Sequence, residues 1–92
     1  MKTTEYWRGG PESAMPKGTA WDLIQYESEE LGNDIGILLT KEELKKINAL
    51  NCRWLTESKK SAMEYGEALS VRIGDHRIIA KDNYGGLLIE TL

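Results

Sequence analysis

His76 and Cys52 are the only histidine and the only cysteine in this chain of 92 residues. A thiol within hydrogen-bond reach of an imidazole becomes an activated nucleophile, so this pair is the one route to covalent chemistry that the residue types offer. The spacing argues against it. On the helix read below for residues 41–65, Cys52 lies about 60° outside the apolar stripe, and His76 falls on a strand face expected to be buried. A zinc site needs three or four His or Cys ligands and is excluded by the same counts. The acids Glu27, Glu29 and Glu30 do not have the spacing of a calcium loop. Lys17-Gly18-Thr19 has phosphate-loop residue types in the wrong order, and no Gly-x-Gly-x-x-Gly occurs. The chain therefore reads as a non-enzyme with no cofactor and no metal.

Two features point to binding instead. Tyr6-Trp7-Arg8 runs into Gly9-Gly10, and Trp, Tyr and Arg are the residue types that dominate interface energetics, combining large buried area with several donors. The second is a cationic face on the C-terminal strands. With a two-residue turn at Gly74-Asp75, Arg72 is expected opposite Arg77, and Lys81 on the same side of its strand as Arg77 and Ile79. Like charges opposed in this way suit an anion, while Ile79, Leu88 and Leu92 would leave apolar surface around them. Tyr6, Trp7, Arg8, Arg72, Arg77 and Lys81 are thus the candidate binding residues. The leading partner is a protein, engaged by occlusion as an inhibitor, adaptor or immunity-type module would do it. The alternative is a nucleotide or other anion held by the arginines against an aromatic platform.

The elements that would position these residues are legible in the spacing. Residues 1–18 read as a short edge strand over Thr3 to Arg8 and a flexible loop rich in Gly and Pro that contains Met15. Residues 19–32 read as a small helix or a strand, the helix favoured by Thr19 with Asp22 three places on and by Gly32 at its end. Residues 34–39 contain Ile35-Gly36-Ile37-Leu38-Leu39, the apolar run of an interior strand covered on both faces. Thr40 and Glu43 form a capping box, and Leu44, Ile47, Leu50, Trp54, Leu55, Ala62 and Tyr65 share a stripe, so residues 41–65 read as one long helix. Such a helix would either break near Thr56 to Ser58 or overhang a domain of this size, and only an overhanging end, with Met63 and Tyr65 exposed, would call for a second subunit and so for a homodimer. Residues 68–92 alternate with period two and read as a three-stranded meander turning at Gly74-Asp75 and at Asp82 to Gly86. The fold class is α+β, one long helix packed on a small antiparallel sheet.

Composition bounds the rest. The chain has the length of one domain, with 40% hydrophobic and 29% charged residues, an ordinary globular balance. Its net charge of −3 speaks against indiscriminate binding to nucleic acid or anionic membranes, which rests on excess Lys and Arg. The charge is polarised: Asp22 to Asp34 holds five acids and no base, whereas Lys45 to Lys60 holds five bases against Glu57. An acidic strip of this kind can meet a basic partner surface. No apolar run reaches the roughly 20 residues that span a bilayer, and a lone cysteine fits a reducing compartment, so a cytoplasmic protein without membrane contact is expected.

Overall fold

In the computed structural model, which describes residues 2–10 and 17–92, the Thr19/Asp22 and Thr40/Glu43 pairs both form reciprocal capping boxes. The first opens α1 (Ala20–Gln25), which continues into a π-helical turn (Tyr26–Glu30). The second opens α2 (Lys41–Leu44), one turn long. Around them lie β1 (Thr4–Gly9), β2 (Ile35–Ile37), β3 (Cys52–Thr56), α3 (Lys59–Met63), β4 (Ala68–Ile73), β5 (His76–Asp82) and β6 (Gly86–Thr91). The strands make one antiparallel sheet in the order β2-β5-β6-β3-β1-β4.

The single helix expected over 41–65 is therefore replaced by α2, β3 and α3. Its start is right, but Asn48 caps a 3-10 turn (Ala49–Asn51) by accepting from the Leu50 amide at 2.9 Å, and the chain leaves that turn extended. From there Cys52 and Trp54 face one side and Arg53 and Leu55 the other, a period of two hidden inside an apolar pattern that also satisfies a period of 3.6. Ser58 then caps α3. With the long helix gone, so is the overhang that called for a second subunit.

The strand roles are also redistributed. β1, expected at an edge, lies between β3 and β4, while β2, expected in the interior, is an edge strand paired among the described residues with β5 alone. The C-terminal third is not a meander: β5 and β6 form a hairpin, but β4 pairs with β1, and Gly74-Asp75 is a corner. Strands at the sixth and second places of a flat sheet would lie about 19 Å apart at roughly 4.8 Å per spacing. The link from Ile73 to His76 reaches at most about 11 Å. The sheet must roll, and Tyr6 on β1 consequently meets His76 on β5 across the roll, hydroxyl to Nε2 at 2.8 Å.

Rolling gives the sheet two faces, each with its own core. β6 supplies both, because consecutive residues point to opposite sides. Leu88 faces outward with Cys52, Ile79 and Ala80, covered by Ala20 and Ile24 of α1, Leu44 of α2 and Ile47. Leu87 and Ile89 face inward with Tyr6, Leu55 and Ile73. A β-bulge between Ile78 and Ala80 turns both Ile79 and Ala80 toward the outer core. Lys41 lies over the Trp21 ring at 5.2 Å, joining α2 to α1. No helix among the described residues is long and apolar enough to cross a membrane.

Candidate binding surface

Of the three consecutive hot-spot residue types, Tyr6 is a core residue, 4% exposed. Its hydroxyl bonds His76 Nε2, and its ring meets the imidazole edge-on at 5.3 Å. His76 Nδ1 lies 2.6 Å from the Gly74 carbonyl oxygen, which can only accept. In a neutral imidazole Nε2 is then the acceptor and Tyr6 donates to it. These bonds hold the corner against β1, so Tyr6 serves the roll of the sheet rather than a partner.

Trp7 points to the opposite side of β1, half-buried, with Lys59 of α3 over its ring at 5.5 Å. Arg8 returns to the inner side, directly across from Leu69 on β4. There it lines a cleft of about 360 Å³ together with Gly10, Tyr65, Gly66, Glu67 and Leu69. Two glycines form its floor. A Cβ on Gly66 would lie 3.0 Å from Gly10 Cα, and the Gly10 amide donates to the Glu67 carbonyl at 3.3 Å. Tyr65 and Leu69 stand in its wall, 56% and 42% exposed. Burying an aromatic or leucine side chain of this kind is worth about 1.5–3 kcal/mol. By spacing Tyr65 belongs to the helix stripe expected over 41–65 and Leu69 to the period-two alternation of 68–92, so neither stands out in the sequence as a binding residue. The available signal was Gly9-Gly10, which marks a close backbone approach.

The cationic face does not assemble. Arg72 lies across from Glu5 on β1, its Nη1 at 3.5 Å from Thr3 Oγ1. Arg77 lies across from Glu90 on β6 and forms an ion pair with it. Lys81 is across from Leu87; since Leu87 and Glu90 are three apart on β6, Lys81 and Arg77 point to opposite faces. The bulge causes this by adding one residue between them. The arginines expected to hold a nucleotide are thus on separate strands, each beside its own acid. The rest of the expected loop, residues 11–16 with Met15, lies outside the described residues.

Cys52 and His76 pair across to Glu90 and Thr91, consecutive positions on β6, and so lie on opposite faces of the sheet. Cys52 is buried in the outer core, its thiol 3.6 Å from the Asn48 carbonyl oxygen. Burial first, and the Glu90 charge second, push its pKa up from 9.0 to about 11. A thiol held protonated in the fold stabilises it fully below about pH 9, and that contribution disappears as the pH rises toward 11, because the unfolded chain releases the proton first. Tyr6 is raised as well, again by burial and then by Glu57, and adds to the loss above its ordinary value of 10.0. Urea midpoints measured across this window should fall with pH, and fall less steeply in Cys52→Ala. An equally steep fall in that variant would remove Cys52 from the account.

The chain matches no protein-family model, no curated protein and no solved structure.

Proposed function

We propose that this protein is a non-enzymatic binding module that engages another protein and acts by occluding it, as an inhibitor, adaptor or immunity-type protein does. The observation that carries the reading is the cleft at the end of β1 and β4, where Arg8, Tyr65 and Leu69 converge beside a sheet edge. Arg and Tyr are hot-spot types, and an edge strand offers backbone donors and acceptors to an extended segment of a partner. The separation of Cys52 from His76 supports the non-enzymatic half of the reading. A reducing compartment such as the cytoplasm suits a buried free thiol.

The test is retention of a partner on the immobilised protein from a lysate of its own cells, with native mass spectrometry of the eluate. The wild type should hold one protein stoichiometrically, with affinity reduced by roughly tenfold or more in Tyr65→Ala and in Leu69→Asp. Arg72→Ala, away from the cleft, should retain it. A small persistent mass increment that disappears in Arg72→Ala or Arg77→Ala would overturn this reading in favour of an anion-binding protein.

A further inference from the structure

We propose that the surface between Tyr65 and Tyr84 takes an arginine-bearing basic segment of a protein partner, its guanidinium lying against the tyrosine rings. This rests on the reading of the adjoining cleft as a protein-binding surface and adds the chemistry of what enters it. Both tyrosines are exposed, at 56% and 58%. Separate elements bring them to one end of the sheet. The β5–β6 turn, which carries Tyr84, packs on α3, where a Cβ on Gly85 would lie 3.7 Å from Ser61 Oγ. Tyr65 stands two residues past the end of α3.

Three carboxylates from three elements share this end. Glu64 is the C-terminal cap residue of α3. Asp82 closes β5, accepting from the Tyr84 and Gly86 amides at 2.8 and 2.6 Å. Glu27 of the π-helical turn accepts at 2.9 Å from Asn33, two residues before Ile35, which lies across from Asp82. Every donor they bond is neutral, and none of the three forms an ion pair among the described residues. Burial first, and then the charges of Asp82, Glu64 and Glu27, raise the Tyr65 pKa above its ordinary 10.0. The bases on the same elements do not neutralise them. Lys60, one helical turn before Glu64, forms no ion pair with it, and Lys59 lies over Trp7. Lys81 points to the opposite face of β5 from Asp82. In the cleft itself Arg8 and Glu67 contribute one charge of each sign. No three His, Cys, Asp or Glu side chains among the described residues are grouped to hold a metal ion. Carboxylates spread around two aromatic rings suit a flat, delocalised cation instead, which stacks on a ring face while its several N–H groups reach separate acceptors. The same carboxylates would repel a nucleotide or other anion.

Titration of the isotope-labelled full chain with a short peptide of alternating arginine and glycine tests this, beside peptides with lysine or glutamate in place of arginine. Amide resonances of residues 61–67 and 82–86 should shift with the arginine peptide, shift less with the lysine peptide and stay in place with the glutamate peptide. Added salt should weaken binding several-fold. Tyr84→Ala and Glu64→Gln should each weaken it roughly threefold or more, whereas Glu42→Gln, on α2, should bind like the wild type. The map of shifts on the wild type does not depend on any variant folding. Shifts spread alike over every acidic segment, an equal response to the glutamate peptide, or affinity untouched by Tyr84→Ala and Glu64→Gln would overturn the inference. An arginine peptide that leaves the spectrum unchanged, while Tyr65→Ala still releases a cellular protein, would overturn the basic chemistry alone and leave the cleft as a protein-binding surface.

Discussion

Replacing Gly9 with alanine should destabilise the protein by about 3 kcal/mol or more, at or beyond the upper end of ordinary overpacking. The reason is backbone, not side chain. A Cβ on Gly9 would fall on the Ala62 carbonyl oxygen of α3, within 2.8 Å of the carbonyl carbon and 3.0 Å of Tyr65 Cβ. A flexible neighbour could move aside, but a helix carbonyl can yield only if α3 lifts from β1. For a domain of this length the expected effect is a fall in melting temperature of roughly 12 °C or more, at about 4–8 °C per kcal/mol. Lifting α3 also displaces Tyr65, so the binding proposed for the cleft should be lost even where the variant still folds. A melting temperature within two or three degrees of the wild type would show that α3 does not seat on Gly9.

The second large effect is expected at Leu88. It is fully buried in the middle of β6, the strand that feeds both cores, and packs in the cluster of Ala20, Ile24, Leu44 and Ile79. Truncation to alanine removes three carbons from a site that cannot close, because a sheet lies behind it and helices in front. The cost of such changes is about 2–5 kcal/mol, and a rigid site belongs to the upper half. Domains of this size have a total stability of roughly 5–15 kcal/mol, so much of the reserve would be consumed. Urea unfolding should show a lowered midpoint with an unchanged slope. Leu69→Ala, in the cleft wall, should cost under about 1 kcal/mol by comparison, which separates residues that hold the fold from those offered to a partner.

Two local signals, the capping boxes, translated into local structure, whereas the Gly74-Asp75 hairpin signal did not, because β4 pairs with β1 instead. Thr19 with Asp22 and Thr40 with Glu43 cap helices because the hydroxyl and carboxylate reach amides only three residues away. Asp82 closes the β5–β6 turn for the same reason, its carboxylate accepting from the Tyr84 and Gly86 amides. The ambiguity arose between Leu44 and Leu55, where one apolar pattern fits both 3.6 and 2 residues per repeat. Burial decided it: only as a strand can Cys52 and Leu55 reach the outer and inner cores at once.

The candidate site follows the same division. Tyr6 and Arg8 were recognisable as residues of consequence, but which of them meets solvent depends on β1 being interior and on the sheet rolling. Arg72 and Arg77 could be placed opposite each other only by assuming that strands joined by two residues must pair. By itself the sequence determined the starts of α1 and α2, the β5–β6 turn, the α+β class and the scarcity of catalytic groups, all properties of residue types and short spacings. Strand order, the roll that brings Tyr6 to His76, the cleft between Arg8, Tyr65 and Leu69, and the place of β2 at the end of the strand order were decided only by the tertiary structure. They arise from contacts between residues far apart in the chain, whose energies depend on every other strand being in place.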